Sequence, residues 1–361
     1  MKAAVLKAFG TPLSVEDVAP PTLGSGEVIV DMAAASVLAY AGEVYSGARQ
    51  YLLEMPVIPG AGGIGRVRAM GPDATRLAVG DWVYCDPTVR SRDDYAAPDI
   101  ALQGLSAGGE GGLLLQRYYH DGAYAEQMRT PTENVTRLGE IDPAQAARWC
   151  RMGSLLVPYG GFLAIDLKAG ETVVVNGATG KFGAAAVEVA MAMGAAWVIA
   201  TGRNEAVLHD LTRRFGPRVR TVAMHGDETA DRAAILAAAT GPIDAVFDIL
   251  PPAASQSQVR AAVLAVRPNG RVALMGGVGM QGGDDLALPY RWIMRNNITV
   301  RGQWMYPREA PARMIALIRT GLIDLTLSEI RTFGLDDINV AVMHAAQNAG
   351  PFQMTTIGMR P

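Results

Sequence analysis

Cysteine is scarce in this chain: only Cys85 and Cys150 occur among its 361 residues. Two cysteines are too few for a disulfide framework or a structural zinc site, so a reducing, cytoplasmic setting is expected. The formal net charge of -3 supplies no basic surface for nucleic acid or for an anionic membrane. No apolar run is long enough to span a bilayer, because the longest candidate, residues 183–200, contains Glu188 and a glycine. The opening MKAAVLKAFG lacks a signal-peptide core and is predicted to form a strand. A small molecule is therefore the expected partner.

What the chain does have is hydrophobic content of 50%, enough for a large core and two domains. The first ~150 residues contain short extended runs separated by proline and glycine, which predicts a β-rich domain. Strands and helices alternate after Glu171, which is typical of a doubly wound parallel α/β sheet. The predicted strands are 172–176, 197–201, 220–223, 244–248, 271–275 and 298–301, and the clearest helices are 184–193, 205–215 and 228–239. One helix, 311–319, and a closing extended run are expected after residue 305, returning to the first domain.

Three glycines follow the first strand of this alternating region. Gly177, Gly180 and Gly183 have the spacing G-x-x-G-x-x-G, with a strand before them, a helix after them and a second strand at a suitable distance. Such glycines permit a tight turn, let backbone N–H groups reach a pyrophosphate, and let the helix lie close to the sheet. The motif and its context predict a dinucleotide-binding site. Its other predicted contacts are Ala178, Thr179, Lys181 and Phe182.

The end of the second strand indicates which dinucleotide is bound. An acidic residue there would bind the adenosine ribose hydroxyls of NAD, but Gly202 occupies the position and Arg203 follows. A small residue followed by an arginine makes room for the 2′-phosphate of NADP and neutralises it. The sequence thus favours NADPH, with Thr201, Gly202, Arg203 and Asn204 as contacts. The alternative is that Arg203 begins a helix in solvent, with Thr201 or Asn204 merely capping it.

Four segments in order resemble the medium-chain dehydrogenase/reductase superfamily, and within it the zinc-free quinone-oxidoreductase-like branch. They are MKAAVL at the start, PTLGSGEVIVDMAAAS at 21–36, IPGAGGIGRVRAMGPDATRLAVGDWV at 58–83 and LKAGETVVVNGATGKFGAAAVEVAMAMGA at 167–195. The resemblance implies a GroES-like catalytic domain from residues 1–152 and 306–361, a Rossmann domain from 153–305, and an active site in the cleft between them. It also implies cofactor contacts at Leu250 and at Gly276, Gly277 and Val278. A homodimer is expected, because the sixth strand would otherwise be an exposed sheet edge.

The resemblance also locates the positions at which zinc-dependent members hold their catalytic metal. These positions fall at Leu38, at Ala61 with its neighbour Gly62, and at Gly153, and none offers a thiolate, imidazole or carboxylate. Residues 88–117 replace the structural-zinc lobe and contain no cysteine. No zinc is therefore expected at either place.

Chemistry without zinc favours substrates whose negative charge develops on a conjugated oxygen, namely quinones and α,β-unsaturated carbonyls. Two alternatives stay open: a zinc-independent alcohol dehydrogenase or ketone reductase, and a non-catalytic NADPH-binding protein. Tyr40 lies where zinc-dependent relatives carry a proton-relay residue, so its phenol is the candidate catalytic group, the alternative being an aromatic wall of the cleft. Glu43 falls at a second relay position and either orients Tyr40 through water or is a solvated helix charge.

Overall fold

The computed structural model describes residues 1–280 and 282–359, whose regular elements bear two series of labels. The strands are β1 (Lys2–Val5), β2 (Ser14–Asp17), β3 (Glu27–Val37), β4 (Gly63–Met70), β5 (Trp82–Cys85), β6 (Thr88–Arg90), β7 (Ile100–Leu102), β8 (Ser106–Ala107), β9 (Gln127–Pro131), β10 (Val135–Arg137), β11 (Thr172–Asn176), β12 (Trp197–Gly202), β13 (Val219–Ala223), β14 (Ala245–Asp248), β15 (Arg271–Leu274), β16 (Thr299–Gly302), β17 (Glu329–Gly334) and β18 (Gln353–Gly358). The helices are α1 (Ala41–Tyr45), α2 (Gly109–Tyr118), α3 (Ala146–Trp149), α4 (Met152–Ala164), α5 (Lys181–Ala192), α6 (Glu205–Phe215), α7 (Glu228–Ala238), α8 (Gln256–Val263), α9 (Tyr290–Arg295), α10 (Ala310–Arg319) and α11 (Ile338–Gln347).

Strands from both ends of the chain share one sheet of seven strands, in the order β10-β5-β4-β3-β18-β17, with β9 also paired to β3. Strand β18 runs antiparallel to β3, with Thr355 opposite Val37. The closing run of the sequence therefore lies beside the long strand β3, whose residues are mostly buried.

The second large sheet is parallel throughout, in the order β13-β12-β11-β14-β15-β16. This is the strand order 3-2-1-4-5-6 of a doubly wound dinucleotide-binding fold, so the predicted fold class is confirmed. Val173, Val174 and Val175 of its central strand are fully buried, because helices cover both faces of the sheet.

Two expectations about helices need correction. Helix α5 begins at Lys181 rather than Ala184, because Gly183 belongs to its first turn instead of to the preceding loop. The sequence predicted a single helix after residue 305, but the structure has two, α10 and α11. Helix α11 is short, and only Ile338, Ala341 and Ala345 on it are buried, so its apolar spacing was a weak signal over ten residues.

Residues 88–117 form a small lobe consisting of the three-stranded sheet β6-β7-β8 and most of helix α2. Hydrogen-bonded strand pairs hold it together, with Thr88 opposite Leu102 and Leu102 opposite Ser106. Among the described residues, no helix is both long and apolar enough to cross a membrane.

Candidate active site

A cleft of about 790 Å³ lies between the carboxyl end of the parallel sheet and the seven-stranded sheet with its lobe. Clefts of this size accommodate a ligand of several hundred cubic ångströms, and this one is found where open α/β sheets bind theirs. On the parallel-sheet side its walls include Gly177, Thr179, Gly180, Lys181, Phe182, Gly183, Gly202, Arg203, Leu250, Gly276 and Gly277. On the opposite side they include Tyr40, Arg49, Tyr51, Leu102, Leu105, Trp304 and Met305.

Two of the three motif glycines are required by geometry. Gly177 follows β11 with φ of 93°, a left-handed conformation that disfavours a side chain. A Cβ on Gly183 would clash with the carbonyl oxygen of Gly177, so helix α5 can begin here only with glycine. Gly180 is the N-cap of α5 and lies in the cleft wall, which leaves the first N–H groups of this 12-residue helix directed toward the cleft. This arrangement suits a pyrophosphate.

At the end of β12 the structure has no room for an acidic side chain. Gly202 is buried, and a Cβ there would meet the side chain of Thr179, with the hydroxyl oxygen 2.7 Å away. Arg203 is exposed and lines the cleft, and within the described chain its guanidinium has no hydrogen-bond partner. A glycine thus occupies the position of the carboxylate in an NAD-binding protein, and an exposed cation follows it.

Two of the predicted contacts at this strand end have structural partners instead. Thr201 is fully buried and donates from its hydroxyl to Oδ1 of Asn176 at 2.7 Å. Asn204 is the N-cap of α6 and accepts from the backbone N–H of Val207 at 3.2 Å. Neither lines the cleft. Ala178, fully buried, and Val278, which packs against the core beside β15, also lie outside its walls.

Lys181, inside the glycine motif, is a half-buried cation in the cleft wall. Burial, together with the nearby positive charge of Arg151, lowers the pKa of Lys181 to about 8. Since an anion beside the ammonium would reverse this effect, the position is suited to a pyrophosphate.

A buried carboxyl group that sequence reasoning missed lies below the same wall. Asp248 ends β14, and its Oδ1 accepts from Nδ2 of Asn176 at 2.7 Å. Burial raises the pKa of Asp248 to about 7, against the opposing effect of the hydrogen bonds from Asn176 and the Leu250 backbone. A Cβ on Gly276 would lie 2.7 Å from Oδ2 of Asp248, so the loop after β15 can pass this close only with glycine. The sequence offered one sign of this group, an acidic residue at the carboxyl end of a predicted strand.

Tyr40 lies on the other wall as the N-cap of α1. The guanidinium of Arg49 stacks on its ring at 4.0 Å, and the ring of Tyr51 lies edge-on with centroids 6.4 Å apart. Burial raises the pKa of the Tyr40 phenol far above its usual range; Tyr51 adds to this and Arg49 opposes it. The phenol therefore keeps its proton at neutral pH, which suits a hydrogen-bond donor better than an acid.

The structure gives Glu43 a partner that neither interpretation named, although its side chain is 54% exposed, as a helix charge in solvent would be. Its Oε2 accepts from Nε of Arg49 at 2.9 Å, so the carboxylate positions the arginine rather than Tyr40. Nη1 of Arg49 donates to the Tyr51 hydroxyl at 3.3 Å. Sequence reasoning missed Arg49 and Tyr51, because the segment after α1 has no periodic pattern that places a side chain in the cleft.

The positions that the resemblance assigns to catalytic zinc ligands carry side chains without a ligand atom. Leu38 and Ala61 are partly buried against the core of the seven-stranded sheet, and a Cβ on Gly153 would meet open space. Throughout residues 1–280 and 282–359, no group of three His, Cys, Asp or Glu side chains is close enough to hold a metal ion. The side chains at this place do not fit zinc.

The lobe contributes part of the cleft wall, which its sequence did not indicate. Leu102, Leu105 and Ser106 line the cleft. Trp304 packs so closely on the lobe that a Cβ on Gly108 would lie 2.7 Å from its ring. Contact across the cleft thus joins the lobe to the segment that follows β16.

Comparison with known proteins matches two family descriptions in succession. Residues 24–140 match the alcohol dehydrogenase GroES-like domain, and residues 182–320 match the zinc-binding dehydrogenase family. The first match covers most of the seven-stranded sheet, and the second covers the parallel sheet from α5 onward.

Individual proteins show the same likeness. An alcohol dehydrogenase from Geobacillus stearothermophilus is 30% identical over 205 residues, 54% of this chain and 56% of that protein. An acryloyl-coenzyme A reductase from Metallosphaera sedula is 30% identical over 214 residues, 57% of this chain and 60% of that protein. The matched part thus spans little more than half the length of these curated relatives. The solved structure of an alcohol dehydrogenase from Thermus sp. ATN1 superposes with a TM-score of 0.80 over 100% of both chains at 20% identity, a likeness of fold.

Proposed function

Since this chain belongs to the medium-chain dehydrogenase/reductase superfamily, we propose that it is an NADPH-dependent oxidoreductase that reduces quinones or α,β-unsaturated carbonyls without a catalytic metal. One observation carries the proposal. The cleft combines the glycine turn and the N-terminus of α5 with the phenol of Tyr40, while Leu38, Ala61 and Gly153 occupy the positions that the resemblance assigns to zinc ligands.

The residues that would hold NADPH are those of the parallel-sheet wall. The N-terminus of α5 and Lys181 would bind the pyrophosphate, and Arg203 would bind the 2′-phosphate. Gly276 and Gly277 would allow the loop after β15 to approach the nicotinamide closely. When bound, NADPH supplies the hydride.

The chain's own contribution to the reaction lies on the opposite wall. Tyr40 would donate a hydrogen bond to the substrate oxygen as negative charge develops there. Leu102, Leu105 and Met305 would exclude water from the reacting atoms, which strengthens that hydrogen bond. With no Lewis acid to polarise a simple ketone, a conjugated carbonyl is the easier substrate.

A second candidate is a zinc-independent alcohol dehydrogenase or ketone reductase, which the names of the curated relatives favour. An absorbance assay separates the two candidates. It follows the loss of NADPH with quinones, enones and simple ketones, and the formation of NADPH from NADP⁺ with secondary alcohols. We expect turnover with quinones or enones at least tenfold faster, in kcat/KM, than with saturated ketones. The reverse preference would replace the first candidate by the second. Tight NADPH binding without turnover on any compound would contradict both, and would favour a non-catalytic NADPH-binding protein.

We further propose that the protein holds no catalytic zinc, that it is a homodimer, and that it works in the reducing cytoplasm. Elemental analysis should find no stoichiometric zinc, and one zinc per chain would mean that the ligand positions are misplaced.

Strand β16 is mostly exposed at the end of the parallel sheet, and Tyr290 and Met294 of the preceding helix are exposed as well, which suits pairing of two sheet edges. Light scattering that gave a monomer mass at micromolar concentration would contradict the dimer. The two thiols are buried and unpaired, as suits a reducing compartment.

A further inference from the structure

We propose that Arg49 binds an anionic group of the substrate, a carboxylate or a phosphate, and that the protein acts on carbonyl compounds carrying such a group. The inference rests on the proposed function, because it assigns the substrate class of the same cleft. Three observations support it: the positive charge of the residues that line the cleft, the unused hydrogen-bond donors of Arg49, and the low exposure of the Arg49 side chain.

The charged side chains that line the cleft in the described part of the chain are all positive. The described lining residues include the cations Arg49, Lys181 and Arg203, and no aspartate or glutamate. Lys181 and Arg203 belong to the parallel-sheet wall, where the cofactor phosphates account for them. Arg49 belongs to the opposite wall, beside Tyr40, where the proposed function places the substrate.

The guanidinium of Arg49 is held in place but not fully used. An arginine has five N–H donors. Here one donates to Glu43 and one to Tyr51, and within the described chain the other three have no acceptor. Stacking on Tyr40 fixes the plane of the group as well. A planar, oriented guanidinium with unused donors is suited to a carboxylate or a phosphate.

The guanidinium of Arg49 is less exposed than its ion-pair partner and faces the cleft. In the pair with Glu43, the arginine side chain is 20% exposed while the glutamate side chain is 54% exposed. The guanidinium thus lies in the cleft, and its partner lies toward solvent. No nitrogen of this guanidinium is both fully buried and without a partner in the described chain, so its unused donors are open to the cleft rather than sealed inside the protein. An anion bound in the cleft would satisfy those donors.

The experiment compares substrates that differ only in charge. 4-Oxopent-2-enoate is paired with its methyl ester, and the phosphate monoester of 5-hydroxypent-3-en-2-one is paired with the free alcohol, so that all four compounds are enones. The variant Arg49→Gln removes the charge, and Arg49→Lys restores it without the planar fork. Arg66→Gln is the matched control, because Arg66 also stacks on an aromatic ring, 4.6 Å from that of Trp82, but lies outside the cleft. Melting temperatures and NADPH affinity establish that each variant is folded.

In Arg49→Gln we expect KM for the charged member of a pair to rise about 10–100-fold, the size of one charge-assisted hydrogen bond. In the same variant, KM for the neutral member and the affinity for NADPH should stay nearly unchanged. Arg49→Lys should have a KM for the charged member between those of Arg49→Gln and the unmodified protein. Arg66→Gln should behave as the unmodified protein. The pair that responds identifies the anion. Equal effects on both members, or a loss of NADPH affinity instead, would overturn the inference.

A binding measurement separates this inference from the proposed function. Trp304 lines the cleft, so binding of 4-oxopentanoate to the protein saturated with NADP⁺ can be followed by tryptophan fluorescence without turnover. Binding that Arg49→Gln abolishes supports the anion site even if no carbonyl compound is reduced. Turnover of neutral enones with no detectable carboxylate binding would refute the anion site and leave the proposed function standing.

Discussion

Replacing Arg203 by alanine is the sharpest test of the cofactor assignment. A charge-assisted hydrogen bond contributes about 1.5–3 kcal/mol when sheltered from water. Arg203 is exposed, so solvent screening should reduce this to about 1–2 kcal/mol, or roughly 5–30-fold in Kd. The Kd of NADPH should rise by that factor, while the Kd of NADH, which lacks the 2′-phosphate, should not change.

Fluorescence titration with both cofactors, at low and at high salt, is the assay. The preference of the unmodified protein for NADPH should shrink as salt rises, since an exposed charge pair is screened, and Arg203→Ala should show little of this dependence. Arg213→Ala is a suitable control, because Arg213 is an exposed arginine on α6 that pairs with Asp210 and lies outside the cleft. Equal Kd values for NADH and NADPH in the unmodified protein would refute the assignment.

The packing at Gly202 predicts why the preference is difficult to reverse. In Gly202→Asp the new Cβ would clash with the methyl group of Thr179, so this variant should bind both cofactors poorly. Adding Thr179→Ser removes that methyl group and leaves a hydroxyl that can rotate away. The double variant should therefore regain NADH binding. If Gly202→Asp alone binds NADH well, the steric argument is wrong.

Three further predictions concern ionisable groups. Tyr40→Phe keeps the ring and removes the hydroxyl, so NADPH oxidation should slow by about 10²–10³-fold, because the developing negative charge loses its hydrogen-bond donor. A loss of only a few-fold would reduce Tyr40 to a wall of the cleft. Because burial and Arg151 lower the pKa of Lys181 to about 8 and bound pyrophosphate would raise it, NADPH affinity should fall by up to about tenfold per pH unit above pH 8. Lys181→Met should flatten this dependence in titrations from pH 7 to 9, and an unchanged slope would exclude Lys181 as its source. The pKa of Asp248 is about 7 in the folded protein and near 3.8 in the unfolded chain. Between these values the folded protein holds a proton that the unfolded chain releases. The free energy of unfolding should therefore fall by on the order of 2–4 kcal/mol between about pH 4 and 7. Asp248→Asn should therefore melt higher than the unmodified protein at pH 8 but not at pH 4; an equal melting temperature at pH 8 would contradict the raised pKa.

Local sequence was sufficient for the nucleotide-binding half of the fold. Helix α6 was predicted from Glu205 to Phe215 and has those bounds, and the six parallel strands lie within one or two residues of their predicted limits. These elements follow from short-range rules: β-branched runs buried on both faces, amphipathic helices, and glycines that a tight turn requires. The glycine motif predicted to bind phosphate is contiguous in sequence, so its spacing and the strands and helix around it were enough to single out Gly177, Gly180 and Gly183.

The tertiary structure decided the opposite wall of the cleft and the charges that act there. Arg49 reaches the cleft because Glu43 and Tyr51 hold its guanidinium over Tyr40, an arrangement that no periodic pattern encodes. Thr201 donates a hydrogen bond to Asn176, which donates another to the buried Asp248. These three side chains come into contact only when β12, β11 and β14 lie side by side. Side-chain roles of this kind depend on contacts distant in sequence and on burial, which moves a pKa only after the chain has folded. The sequence alone determined where the glycine turn and the helix after it lie, and the packing of distant segments determined which side chains form the opposite wall of the cleft.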